Sequence, residues 1–254
     1  MNQPNKKVIC ITGASSGFGT ATAKKFIQNG WNCIITGRRQ ERLESLAKEL
    51  GEENTLTLAF DVTDNKAVEK NLSNLPEKFS KISVLVNNAG LALGLEPAQR
   101  CDLQDWETMI DTNIKGLLYC TRLLLPKMIK QEEGHIINLG SVAATNPYFG
   151  GNTYGATKAF VRQFSRNLRT DLHGTGLRVT NIEPGLAESE FSIVRFKGDK
   201  EKADNLYKGA HPITPNDIAD MIYWVATTPK HININNIEVM PTSQSWSPLQ
   251  VYKS

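Results

Sequence analysis

Closely spaced cysteines are missing from this chain, and so are clustered histidines. Cys10, Cys33, Cys101 and Cys120 stand far apart, and His135, His173, His211 and His231 are equally scattered. Neighbouring ligands for a metal ion are therefore not expected. Cys10 and Cys33 fall in apolar runs that read as strands. That predicts buried free thiols in a reducing compartment rather than a disulfide framework. No apolar stretch reaches the length of a signal peptide or a membrane span. The polar start, Met1 to Lys7, leads directly into a strand. A cytoplasmic protein with no membrane partner is the expectation. Charge of one sign is also scarce. The net charge is +3, and the basic residues are scattered apart from Arg38-Arg39. Nothing in that pattern is a nucleic-acid footprint. Repeats, linkers and low-complexity segments are absent too. At 254 residues, 40% hydrophobic and 22% charged, the chain suits one large α/β domain over residues 1–254.

What is present is a rhythm. Apolar runs at 8–12, 32–36, 55–60, 82–86, 135–139, 177–182 and 236–240 read as strands. Helical patterns fill 17–29, 40–50, 64–75, 103–130, 152–172 and 215–227. Pro126 is expected to kink the long fourth helix or to sit near its last turn. Continuous apolar strands alternating with helices predict an α/β fold: one doubly wound, parallel, seven-stranded sheet with helices on both faces. Such a sheet binds ligands beyond its C-terminal strand ends, where the winding reverses. One stretch breaks the rhythm. Residues 185–211 carry Phe191, Arg195, Phe196, Lys197 and Tyr207 among many charges, and read as a substrate lid.

The first strand runs into Thr12-Gly13-Ala14-Ser15-Ser16-Gly17-Phe18-Gly19 and then a helix. Gly13 can make the tight turn, Gly17 admits a pyrophosphate to the backbone, and Gly19 lets the helix pack on the strand. Phosphates would meet free N–H groups at the positive end of the helix dipole. The spacing G-x-x-x-G-x-G differs from the commoner G-x-G-x-x-G. A dinucleotide is the predicted ligand. After the second strand comes Thr36-Gly37-Arg38-Arg39, with no carboxylate. An acid there serves the ribose hydroxyls of NAD, whereas a guanidinium holds a 2′-phosphate by a forked bond. NADP is therefore the expected cofactor, with Arg38 as primary ligand and Arg39 as helper. The bland alternative is a pair of ordinary helix-start charges. Asp61, just after the third strand, could accept from the adenine amino group. Asn88, in Asn87-Asn88-Ala89-Gly90, could touch the ligand or hold strands together.

Tyr154 stands four residues before Lys158, with Ser141 thirteen residues upstream. Positions i and i+4 share a helix face. A tyrosine has a pKa of about 10 and is a poor base at neutral pH. A fixed charge about 4 Å away, at an effective dielectric of about 20, is worth roughly 4 kcal/mol, or about three pK units. Lys158 is therefore expected to bring Tyr154 towards working pH, where it can move a proton on or off an alcohol oxygen. Spacing alone is weak, because 6 Tyr and 19 Lys in 254 residues supply such a pair by chance in roughly every second chain of this composition. An exposed helix face with a snorkelling lysine would give the same pattern.

Together these residues resemble the short-chain dehydrogenase/reductase family, along nearly the whole chain and in the family's order. Thr12-Gly13 to Gly19 matches its glycine motif, Asn87 to Gly90 its Asn-Asn-Ala-Gly motif, and Pro184-Gly185 its turn after the sixth strand. Asn113, Ser141, Tyr154 and Lys158 fall where the family keeps its catalytic tetrad. The threonine usual four residues past that glycine is Ser189 here, which keeps the hydroxyl. The resemblance implies a Rossmann-type enzyme with Tyr154 as acid/base and Ser141 on the substrate oxygen. It also implies Lys158 on the ribose and the tyrosine, and Asn113 supporting a water-linked proton path. Its implied cofactor contacts are Gly13, Ser15, Ser16, Gly17, Phe18, Gly19, Arg38, Arg39, Asp61, Val62, Asn88, Ala89, Gly90, Tyr154, Lys158, Pro184, Gly185 and Ser189. Hydride moves directly between substrate and nicotinamide, so no metal is required.

Within the family, residues 36–43, 87–96, 154–163 and 195–199 resemble the bacterial NADP-dependent 3-hydroxy acid dehydrogenases. That likeness implies oxidation of serine and other small 3-hydroxy acids, reduction of 3-oxo acids such as malonic semialdehyde, and a homotetramer. A carboxylate substrate needs a cation. Arg195 is the expected substrate ligand and Lys197 the other candidate, with solvated lid charges as the alternative. Phe191, Tyr148 and Phe149 either line the pocket or pack in the core. Residues 241–254, with Trp246 and Leu249, either meet a neighbour or close their own pocket. Two other readings stand beside this one: a reductase of the same fold acting on an acyl thioester, sugar or polyol, and a non-catalytic NADP-binding regulator.

Overall fold

The computed structural model describes residues 6–246. The apolar run at the start forms β1 (Val8–Ile11), followed by α1 (Gly17–Gln28), β2 (Asn32–Gly37) and α2 (Gln40–Leu50). Next come β3 (Thr55–Ala59), α3 (Asn65–Leu72), the single turn α4 (Glu77–Ser80) and β4 (Ile82–Asn87). The second half holds α5 (Leu103–Ile110), α6 (Leu117–Lys130), β5 (Gly134–Leu139), α7 (Asn152–Asp171) and β6 (Leu177–Pro184). Two short helices, α8 (Phe191–Arg195) and α9 (Lys200–Tyr207), precede α10 (Pro215–Thr227) and β7 (Asn236–Val239). The strands pair in the order β3-β2-β1-β4-β5-β6-β7, every pair parallel. The chain winds outward from β1 to β3, then returns to place β4 on the other side of β1. That reversal opens a crevice above the C-terminal ends of β1 and β4.

Side chains alternate across the pleat, so each strand feeds two cores. Ile9, Ile11, Ile35 and Val86 pack with Phe26 of α1, Leu43 of α2 and Ile218 and Ile222 of α10. Val8, Cys10, Ile34 and Leu85 pack on the opposite face with Val68 and Leu72 of α3, Leu124 and Met128 of α6 and Leu168 of α7. Burying each such large side chain contributes about 1.5–3 kcal/mol. Helix ends follow local chemistry. Asp64 accepts from the N–H groups of Lys66 and Ala67 to start α3, and Thr214 and Asp217 form a reciprocal capping box ahead of Pro215 in α10.

One expectation needs correction. The helix expected over 103–130 is interrupted at Asp111–Gly116 by a widened π turn, of the kind found at functional sites. Pro126 lies inside α6, just before its last turn. Residues 185–211 hold real structure, because α8 and α9 fold within them. Of the C-terminal stretch, residues 241–246 turn back onto their own chain, where Gln244 Oε1 accepts from the N–H of Leu186 at 2.6 Å. Trp246 Nε1 donates to Glu238. Leu249 lies outside the described residues.

A polar chain crosses the second core. Asn87 Nδ2 donates to Thr121 Oγ1 at 2.9 Å and to Asn138 Oδ1 at 2.8 Å. Asn138 Nδ2 donates to Ser165 Oγ at 2.8 Å. All four residues are buried, so the bonds lock β4, β5, α6 and α7 in one register. Asn138→Ala strands a donor and an acceptor in a low-dielectric interior. It should lower unfolding stability by about 2–4 kcal/mol, read from urea melts. A change within about 0.5 kcal/mol of wild type would show that the register does not depend on this chain of bonds.

Candidate active site

The crevice is a groove of about 300 Å³ floored by the loops that leave β1 and β4. Those loops are laced together. Thr12 Oγ1 accepts from the N–H groups of Asn88 and Ala89 at 3.1 and 3.0 Å. Asn88 Nδ2 donates to the carbonyls of Thr12 and Gly13 at 2.9 and 3.0 Å. Gly13 takes the left-handed conformation, at φ 68°. At Gly19 a Cβ would meet the Gly13 carbonyl oxygen at 2.5 Å and the Ala14 Cα at 2.7 Å. Only glycine lets α1 start this close to the loop. The N-cap residue Ser16 makes no side-chain capping bond, so the first-turn N–H groups of α1 keep their affinity for an anion. The cradle therefore fits a dinucleotide pyrophosphate.

At the β2 end the arginines have anionic and hydroxyl partners. Arg38 lies 3.7 Å from Asp61, whose other oxygen accepts from Thr63 N and Oγ1, both at 2.9 Å. Arg39 folds over the glycine loop. Its Nη2 donates to Ser16 Oγ at 2.8 Å and Ser15 Oγ at 3.1 Å, and its Nη1 donates to Glu190 at 3.0 Å. Arg42, in the first turn of α2, holds both oxygens of Glu190 at 2.7 and 2.8 Å.

At the β5 end, Ser141 caps a short 3-10 turn, accepting from Ala143 N at 3.2 Å. Tyr154 and Lys158 share one face of α7. Lys158 is buried, and its Nζ donates to the Leu139 carbonyl at 2.7 Å. Asn113, in the π turn, accepts from the Leu91 N–H and donates to the Leu91 carbonyl, both at 2.8 Å. It also donates to Thr157 Oγ1 at 3.0 Å. One amide thus ties the β4 loop to α7 between Tyr154 and Lys158. A Cβ on Gly90 would lie 3.2 Å from Asn113 Oδ1 and 3.5 Å from Lys158 Nζ, so the glycine leaves an atom-sized space between those two groups.

Residues 185–211 bound the far side. The rings of Tyr154 and Phe191 lie 5.6 Å apart. The Arg195 guanidinium sits 5.1 Å from each ring centroid and donates to Tyr148 Oη at 3.1 Å. Its Nε is buried without a partner among the described residues. The Arg195 carbonyl accepts from Gly94 N at 2.9 Å, which fastens the lid to the loop after β4. Lys197 is turned away, paired with Asp105 at 2.8 Å.

The electrostatics reverse one expectation. Burial pushes the Tyr154 phenol up to about 12, and the Arg195 guanidinium and hydrogen bonding with Ser141 draw it back only in part. Burial likewise pulls Lys158 down to about 8. Lys158 Nζ lies 5.8 Å from the Tyr154 ring centroid and spends a hydrogen bond on Leu139. The cation that lowers the phenol in this arrangement is therefore Arg195, not Lys158.

The groove wall gathers most of the expected residues. Gly13, Ser15, Ser16, Gly17, Phe18, Arg38, Arg39, Asp61, Val62, Asn88, Ala89 and Gly90 line it, with Ser141, Tyr154, Lys158, Pro184, Gly185 and Ser189. Gly19 and Asn113 stand behind that wall as packing and bracing residues, and Arg195 lies across the Tyr154 ring from it. Phe191 also lines the groove. Phe149 does not, being 76% exposed. In the sequence alone Glu190 has no assigned role, and Thr12 reads only as the start of the glycine motif. A lone acid in a charged stretch carries no local signal of a partner 151 positions away. The pairing of Thr12 with Asn88 was implicit in their places at neighbouring strand ends.

Known proteins agree with this geometry. The serine 3-dehydrogenase of Agrobacterium fabrum is 60% identical over 96% of this chain and 98% of its own length. The NADP-dependent 3-hydroxy acid dehydrogenase YdfG of Salmonella typhi is 57% identical over 97% of this chain and 100% of its own. A solved structure, the closed form of serine dehydrogenase complexed with NADP+, superposes with a TM-score of 0.96 at 54% identity, covering 97% of this chain and 100% of that one. A family model described as short chain dehydrogenase matches residues 7–200. From its glycine cradle to its tyrosine and lysine helix, the chain belongs to the short-chain dehydrogenase family.

Proposed function

We propose that this chain is an NADP-dependent oxidoreductase acting on small 3-hydroxy acids and the matching 3-oxo acids. Serine is one substrate, and 3-hydroxypropionate with malonic semialdehyde another pair. The observation that carries the reading is the meeting of Ser141, Tyr154 and Lys158 at one end of a groove whose other end holds Arg38 and Arg39. Two relatives named for this chemistry, at 60% and 57% identity over almost their full lengths, support the substrate class. A neighbour solved with NADP+ supports the cofactor.

The glycine loop and the first turn of α1 hold the pyrophosphate. Arg38 and Arg39 hold the 2′-phosphate, and Ser189, Pro184 and Gly185 bound the nicotinamide end. The bound nicotinamide supplies or accepts the hydride. Ser141 donates to the substrate oxygen and orients it. Tyr154 takes the alcohol proton in oxidation and returns it in reduction. Lys158, its pKa brought to about 8 by burial, exchanges protons near neutral pH. The space beside Gly90 supports a water-linked path between Lys158 and Asn113. Arg195 binds the substrate carboxylate, with its buried, unpartnered Nε as the free donor. Residues 1–254 act as one catalytic domain with a lid at about 185–211. The working form is a cytoplasmic homotetramer. Among the described residues no helix is long and apolar enough to cross a membrane.

Tyr154→Phe should lower turnover about 100- to 10,000-fold while leaving NADP binding nearly unchanged, followed by NADPH absorbance with L-serine and 3-hydroxypropionate. Near-normal turnover would remove Tyr154 from the proton step. No turnover by the wild type across an acid and alcohol panel, with tight NADP binding, would favour a regulator instead. Arg195→Ala should raise KM for an acid substrate by about 10- to 100-fold. A neutral alcohol should suffer only the loss shared through Tyr154. Equal losses on both substrates would end the carboxylate role.

A further inference from the structure

Glu190 is the last residue before α8 and the acid that joins the lid to the arginines of the cofactor end. Each guanidinium nitrogen of Arg39 already donates to an acceptor. Nε and Nη2 serve Ser15 and Ser16, and Nη1 serves Glu190. Of those acceptors only Glu190 is charged. The same carboxylate takes Arg42 with both oxygens, and it lines the groove with Arg38, Arg39, Ser15 and Ser16. A second anion that reaches Arg39 through Nη1 therefore competes with this carboxylate.

We propose that Glu190 is an internal stand-in for the cofactor's 2′-phosphate, a specificity-setting residue that occupies the Arg39 and Arg42 guanidinium edges and limits how tightly the phosphate is held. The inference rests on the NADP reading above and adds a residue that opposes it. A free dianionic phosphate outcompetes a monoanion at a forked guanidinium site, so NADP still binds. NAD has no phosphate at this position and leaves the Glu190 pairs intact. Glu190 and both its arginines are 41–50% exposed, so water screens the competition and keeps the effect modest.

Calorimetric titration of the full chain, wild type and Glu190→Gln, with NADP, NAD and adenosine 2′-monophosphate tests the role. The variant should bind NADP and adenosine 2′-monophosphate about fivefold more tightly, with NAD changed less than about twofold. Unchanged or weaker binding of the two 2′-phosphorylated ligands overturns the proposal, as does an equal gain for NAD, which would mean only a looser lid. A wild type that binds NAD as well as NADP would refute the cofactor reading itself. The adenosine 2′-monophosphate comparison would still decide the part played by Glu190.

Discussion

Everything at the site depends on how closely the loops after β1 and β4 approach each other. A doubly wound parallel sheet must part its chain somewhere, and it parts between these two strands. Left alone, the split would widen into a water-filled notch. Thr12 and Asn88 prevent that with four hydrogen bonds across the gap. Their geometry leaves no room for a side chain at Gly19. The cradle, the start of α1 and the direction of the β4 loop follow from that lacing. The β4 loop in turn receives Asn113, and Asn113 grips α7 through Thr157. The two ends of the groove are thus joined by side-chain hydrogen bonds, most of them to backbone.

Burial is the second organising force. Tyr154 and Lys158 are both driven towards their neutral forms by the same desolvation. An ammonium drawn to about 8 and a phenol raised to about 12 leave the pair poised to trade protons only when something else supplies charge. Arg195, 5.1 Å from the Tyr154 ring centroid, is such a source, and it ends α8. Residues 185–211 therefore supply charge as well as shape around the Tyr154 ring.

Much of this was legible in the sequence, for physical reasons. Most of the strands are short apolar runs rich in β-branched residues, such as Val8 to Ile11, and a parallel sheet buried on both faces needs such runs. The glycine loop, Arg38-Arg39 and the Tyr154–Lys158 spacing are local patterns whose chemistry is local too. What stayed hidden depends on partners distant in the chain. The π turn at 111–116 is invisible as periodicity, since helical hydrophobic spacing continues through it. The α8 and α9 helices are short, and Tyr207 Oη ties them together through Ser192 and the Ala187 carbonyl. The direction of the Tyr154 shift was misjudged because spacing reveals a neighbour's charge and not how much water has been removed.

The cysteines bring a practical consequence. Cys10, Cys33 and Cys120 lie fully buried in the two sheet cores, and burial raises all three thiols far from ionisation. Electrophiles need a thiolate, so these three are chemically silent in the folded protein. Cys101 differs. It is partly exposed, hydrogen-bonded to the Glu96 carbonyl and beside Asn152 at the start of α7. The unaltered chain therefore carries one addressable sulfur, close to the segment that docks the lid. A fluorophore or spin label placed there would report lid position without the removal of any other residue.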